Sequence, residues 1–93
     1  MLLVHNGVPY GYGELKWQYG SWWVVNVMAG KGAIAGTGKE ILKGLIDKAI
    51  KGGIPDLRLG THFNNLPMLY CALSCGFKLD GTDVNGYVLS REV

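Results

Sequence analysis

The sequence predicts one α/β domain, a mixed α+β sheet with its elements in the order β-β-β-α-β-α-β-β. Three observations predict it. Asn6-Gly7 separates two extended stretches, as in a tight hairpin. A nearly continuous apolar run at 22–29 leads into a glycine-rich segment, an amphipathic helical pattern and a further extended stretch, which completes a β-α-β crossover. Finally, 93 residues close only a single modest core, so a two-domain protein is excluded and 1–93 is one domain.

Residues 2–5 and 8–15 are the arms of the hairpin, because Asn-Gly accepts the positive φ angles of its turn. The next turn lies at 18–21. Trp22, Trp23, Val24, Val25, Val27 and Met28 then form a strand expected to be central and buried on both faces. Glycines at 30, 32, 36 and 38 are separated by small residues or lysine, a composition that suits a loop with close backbone approach. Thr37 is placed to cap a helix over 37–51. In that helix Ile41, Leu42, Leu45, Ile46, Ala49 and Ile50 recur at helical spacing, and lysines and acids take the other face. Gly52-Gly53 stops it. Residues 56–62 read as a strand, with Leu57 and Leu59 on one side and Arg58 on the other. Asn64, Asn65 and Pro67 open a second helix through Cys75, Gly76 ends it, and 77–79 and 87–90 give a closing hairpin.

Apolar residues make up 48% of the chain and charged residues only 17%, a globular composition. The net charge of +2 is too small and dispersed to mark a nucleic-acid or membrane partner. No run approaches a membrane span, and the apolar start lacks the basic leader of a signal peptide, so the protein is expected to stay in the cytoplasm. Cys71 and Cys75 sit on one helix without further ligands at metal spacing, which fits small buried hydrophobes and no metal.

A strand, a glycine-rich loop and a helix N-terminus together make an anion site, since the first turn's N–H groups point outward at the positive end of the helix dipole. Phosphate binding is the chemistry implied. Residues 33–40 approach a P-loop, but Ala33 stands where the first glycine belongs and Glu40 where a hydroxyl should reach magnesium. Gly30-x-Gly32-x-x-Ala35 fits a loose dinucleotide fingerprint in a chain too short for the rest of that domain. A loop without any ligand is the plain alternative.

Gly36-x-Gly38 followed by Lys39-Glu40-Ile41-Leu42 resembles the end of the acyl-CoA loop motif Q/R-x-x-G-x-G/A of the GNAT acetyltransferase superfamily. Downstream, Asn65-Leu66-Pro67-Met68 and then Gly76-Phe77 resemble that family's N-x-P-(A/M)…G-F helix and strand, in the family's order. The resemblance covers residues 22–93. It implies a GNAT-like acyl-CoA N-acyltransferase fold, here lacking the N-terminal strand and two helices that ordinary members carry before the hairpin. It also implies acetyl-CoA as co-substrate and transfer of its acetyl group to an amine. By the same resemblance Ala33, Ile34, Ala35, Gly36, Thr37, Gly38 and Lys39 hold the pyrophosphate, and Asn65 and Met68 contact the co-substrate. A backbone N–H at Val27 or Met28 polarises the thioester carbonyl.

Two positions depart from the family. Ala33 replaces the Q/R of the loop, which leaves Lys31 or Lys39 to supply a cation, and Ala72 occupies the place of the tyrosine that protonates the departing thiolate. Tyr70, two residues away, points about 200° around the helix. General acid or base help is worth ~10² to 10⁴ in rate, so the loss slows an enzyme without abolishing it. Candidates to take the amine's proton are His62, at a strand end, and Glu14, on the hairpin; a surface histidine and a solvated edge charge are the structural alternatives. Asn26 is a polar interruption of the apolar strand.

An acceptor face without the family's first two helices suits a macromolecule, such as a protein lysine, with Trp17, Trp22, Trp23, Tyr10 and Tyr12 lining it or packing the sheet. Small phage-encoded members that acetylate a host protein are similar in this respect and act in the host cytoplasm. The competing expectation is a non-catalytic acyl-CoA-binding or protein-interaction module. A small core and exposed edge strands make a homodimer a further expectation.

Overall fold

The computed structural model describes residues 1–30 and 36–93. The elements are β1 (Leu2–His5), β2 (Val8–Gln18), β3 (Ser21–Ala29), α1 (Thr37–Lys51), β4 (Asp56–His62), α2 (Leu66–Ser74), β5 (Lys78–Thr82) and β6 (Gly86–Glu92), in the expected order. Among the described residues the strands form one sheet in the order β1-β2-β3-β4-β6-β5. The β3–β4 pair is parallel and its neighbours are antiparallel.

Local chemistry sets the turns. Asn6 and Gly7 both adopt positive φ (50° and 78°), as a primed hairpin turn requires, and Tyr19-Gly20 repeats the geometry at 51° and 75°. Helix α1 starts differently from expectation. Gly36 is its N-cap, in the left-handed region at φ 90° and without a side chain of its own to cap with; Thr37 is the first helical residue and is buried. A glycine reverses the chain there without the steric cost that a Cβ would add. Glu40 in the first turn and Lys48 and Lys51 in the last complement the helix dipole. Asn65 caps α2 by accepting from Met68 N at 3.3 Å, and Pro67 occupies the first turn, where its missing N–H costs nothing.

Helices α1 and α2 pack against each other and on one side of the sheet. Ile41, Leu42, Leu45 and Ala49 are fully buried against a floor of Val24, Leu57, Leu59 and Leu89. Each large aliphatic side chain buried there stabilises the fold by roughly 1.5–3 kcal/mol. Close approach of α1 depends on β2 glycines, since a Cβ on Gly13 would lie 2.5 Å from Ile41 Cγ2 and 3.1 Å from Leu45 Cδ1. One consequence corrects the expectation for β3. Only Val24 of that strand is buried, while Asn26 and Met28 are exposed, because no described element covers the sheet's second face. Among the described residues no helix is long and apolar enough to cross a membrane.

Candidate functional site

The sheet opens between its two parallel strands. β3 and β4 pair only at Trp23–Arg58 and Val24–Leu59 and then part. A bulge on the other side of β3 explains the divergence. Tyr12 pairs with Met28 but Glu14 with Val25, so Asn26 and Val27 together oppose Gly13. Asn26 takes φ 54°, a left-handed conformation that asparagine tolerates better than most residues. Its side chain is also secured, with Nδ2 donating to Glu14 Oε1 while Tyr12 Oη donates to Glu14 Oε2 at 3.0 Å.

The resulting cleft has a volume of about 410 Å³ and is walled by 23–27 of β3 and 59–62 of β4, with Gln18, Asn65 and Met68 at its margins. Trp23 is held at one wall by its Nε1, which donates to Gln18 O at 3.0 Å. The first bond of the α1 ladder runs from Glu40 N to Gly36 O at 3.0 Å, so the amides of Gly38 and Lys39 point out of the helix end. Tyr10 Oη donates to Glu40 Oε1 at 3.0 Å and ties β2 to that turn.

Four residues expected to act together do meet in the cleft: Val27, His62, Asn65 and Met68. Met28 does not line it. Its side chain lies instead in an apolar hollow on the uncovered face with Leu2 and Tyr12. Gly36, Thr37, Gly38 and Lys39 form the start of α1, whereas Lys31, Ala33, Ile34 and Ala35 lie outside the described residues. His62 is exposed where the cleft meets a second hollow bordered by Asp83 and Tyr87. Of the five aromatics expected at the acceptor face, Trp23 alone borders the cleft. Trp17 and Trp22 stack edge to face at 5.7 Å, and the hydroxyls of Tyr10 and Tyr12 are engaged by Glu40 and Glu14. The cleft's reliance on Gln18, Gly60 and Thr61 was not expected from the sequence; the only local signal of the opening is Asn26 within an apolar run.

Glu14 is placed to shape the site more than to take a proton. Asn26 and then Tyr12 donate to its oxygens and hold its pKa below the usual carboxylate value, which weakens it as a base. Because the folded pKa is depressed, this contribution to stability is present above the unfolded carboxylate pKa and is lost as pH falls through the folded one. Thermal midpoints followed by circular dichroism should therefore decline on acidification, and Glu14→Gln should lessen that decline. An unchanged pH profile in the variant would show that these contacts do not hold the carboxylate. At α2, burial first and Cys75 second raise the Cys71 thiol pKa; Cys71 is half-buried, Cys75 at the helix C-cap is buried, and both are free cysteines. Ala72 is fully buried, and Tyr70 is exposed.

Neither a protein-family model nor a curated protein matches the chain. Solved structures do match. The chain is similar to PaiA N-acetyltransferase from Thermoplasma acidophilum in complex with coenzyme A, with a TM-score of 0.84 and 21% identity over 97% of this chain and 57% of that one. It is similar to a GNAT family acetyltransferase from Elizabethkingia anophelis with acetyl-CoA bound, with a TM-score of 0.84 and 19% identity over 99% and 74%. It is also similar to the ribosomal-protein-S18-alanine N-acetyltransferase from Escherichia coli, with a TM-score of 0.83 and 18% identity over 99% and 66%. The chain thus has the GNAT acetyltransferase fold, and it spans little more than half the length of the PaiA protein.

Proposed function

We propose, from that fold, that the chain binds acetyl-CoA and transfers its acetyl group to an amine, in the cytoplasm. The observation that carries the proposal is the parting of β3 and β4 at the Asn26 bulge, which leaves a cleft with backbone amides on its walls. The residues fit the co-substrate. Gly36 turns the chain into α1 at φ 90°, and the outward amides of Gly38 and Lys39 in the first turn would meet the pyrophosphate. Asn65 and Met68 would flank the pantetheine arm in the cleft.

Acetyl-CoA supplies a thioester. The amine forms the new C–N bond as the C–S bond breaks, and the electron pair leaves on the thiolate. The Val27 N–H is the donor we assign to the developing oxyanion, and His62, at the cleft's open end, is the assigned acceptor of the amine's proton, directly or through water. No side-chain acid stands at position 72, so the thiolate would depart without one. The uncovered face of the sheet beside the cleft suits an acceptor on a macromolecule, such as a protein lysine.

Calorimetric titration of acetyl-CoA tests the site. Binding is expected for the native chain and at least about 100-fold weakening for Gly36→Glu and for Gly38→Glu, each of which sets a carboxylate against the phosphates. Absence of binding by the native chain overturns the proposal. The buried Ala72 favours a second reading, a non-catalytic acyl-CoA-binding module. Binding without thiol release in the presence of amines would select it.

A further inference from the structure

The two helices present unlike outer surfaces side by side. α2 turns Leu66, Tyr70 and Leu73 outward at i, i+4 and i+7, where they are 43%, 62% and 44% exposed, while Leu69 and Ala72 face the core. Leu79 of β5 extends the row, because its register partner is the buried Leu89 and α2 packs against that strand. No Asp, Glu, Lys or Arg occurs in 59–77. The outer side of a surface helix is normally charged, so an outward apolar row without a single charge marks a contact surface.

α1 is the reverse. It exposes Lys39, Lys43, Lys48 and Lys51 against Glu40 and Asp47, and Glu40 is already engaged by Tyr10 Oη. Arg91 adds a cation on the same side of the sheet, since its Nε donates to Cys75 O at 2.9 Å. Lys43, Asp47 and Ile50 meet Ser74 and Arg91 across a hollow of about 350 Å³ between the helices, so the basic ridge runs alongside the apolar one. The remaining acids lie elsewhere. Leu57 is buried toward the helices, which turns Asp56 to the other face, where it stands opposite Glu92. Gly13 faces Ile41, which turns Glu14 to that other face too. Asp80 sits at the register shift of β5 and Asp83 in the turn that follows.

We infer that the helix layer is a membrane-contact face, on which α2 sets Leu66, Tyr70 and Leu73 into the headgroup boundary of an anionic bilayer while the α1 lysines reach the lipid phosphates. Charge and shape together select this occupant. The helix side carries five cations, four from α1 and Arg91, against two acids, so its partner is negative. A second copy would bring the same cations back against them. The apolar row is also a ridge, and its three residues line neither the cleft nor the hollow between the helices, so a protein partner's side chains find no pocket there. A fluid bilayer closes around a ridge and offers acidic headgroups beside its apolar interior. Tyr70 suits that boundary, with its ring inward and its hydroxyl toward water, and lysines keep their charge among the headgroups by extending their stems. The inference does not rest on acetyl-CoA binding.

Cosedimentation of the chain with phosphatidylcholine vesicles, with and without phosphatidylserine, tests the inference. Partition into the phosphatidylserine vesicles is expected, falling as salt rises, with little partition into phosphatidylcholine alone. Tyr70→Glu and Lys43→Glu should each weaken it at least about tenfold. Lys78→Glu makes the same charge change on the opposite face, where Lys78 pairs with Ser90, and should alter partition by no more than about threefold. A native chain that stays in the supernatant overturns the inference, and so does equal partition with and without phosphatidylserine. Both of those results need no variant to fold. Equal losses in Lys43→Glu and Lys78→Glu would mean unoriented charge attraction and overturn it as well. Sedimentation equilibrium without vesicles that gives a dimer, dispersed by Tyr70→Glu, would assign the apolar row to a second copy and likewise overturn it.

Discussion

Gly86→Ala is expected to abolish stable folding. A Cβ at this position would overlap the carbonyl oxygen of Thr61 and stand 2.7 Å from its carbonyl carbon and 2.8 Å from His62 Cα, all of them backbone atoms. No rotamer change relieves such a contact, so β4 and β6 must separate where Gly86 pairs with His62. The turn before Gly86 adds to the constraint. Asp83 Oδ1 accepts from Gly86 N at 2.9 Å, and Asp83 N donates to Gly86 O at 2.9 Å, which fixes the position from the other side. Overlap with main chain on one side and a tied turn on the other place the cost above about 4 kcal/mol, most of a small domain's stability. Urea unfolding monitored by tryptophan fluorescence would read this directly. Gly81→Ala, whose Cβ meets nothing within 4 Å, is the matched control and should be close to neutral. A Gly86→Ala protein as stable as that control would mean that the β4–β6 end is not packed as described.

The second large effect concerns His62. If it takes the proton of the attacking amine, His62→Gln should lower the amine-dependent release of thiol from acetyl-CoA by ~10² to 10⁴ at neutral pH. Acetyl-CoA affinity should hardly change, since His62 stands at the cleft's open end rather than at the α1 terminus. Glu14→Gln should have a much smaller effect on rate, because its carboxylate is already engaged by Asn26 and Tyr12 and is a poor base. Thiol release with a panel of amines, measured for both variants, separates the roles. Equal and small losses in both would leave water as the proton acceptor.

Much of this fold was legible because its signals are local. Asn6-Gly7 specifies its turn through the φ angles it tolerates, the 3.6-residue period of Ile41, Leu42, Leu45 and Ala49 specifies α1, and Asn65 specifies the start of α2 through its own side chain. The strand at 56–62 was legible from its alternation, and burial bears that out at Leu57 and Leu59. What could not be read depends on partners distant in sequence. The apolar run of β3 looks like a strand covered twice, yet coverage is decided by where α1 and α2 lie, and both lie on one side. Gly11, Gly13 and Gly86 carry no sequence sign of what approaches them, although a Cβ at any of the three would press on a specific neighbour. The cap of α1 was misplaced by one residue, because Thr37 has the chemistry of a cap while Gly36 has the backbone freedom that the chain reversal needs. His62, Asn65 and Met68 are candidates from the sequence alone, but what brings them to one cleft with Val27 is the two-residue overlap of β3 and β4, a tertiary quantity.

That short overlap also bears on how the molecule responds to an occupant. Past Val24 and Leu59, neighbouring strands stop exchanging hydrogen bonds while still bordering the same space, so the sheet carries an internal seam as well as two outer rims. Backbone groups along a seam are satisfied by water or by whatever lies in it. An elongated molecule with amide groups would bridge the walls as an additional strand does, and its binding energy would then count toward holding β3 to β4. The ligand would act as a stitch, and the empty domain should unzip first along the line it closes.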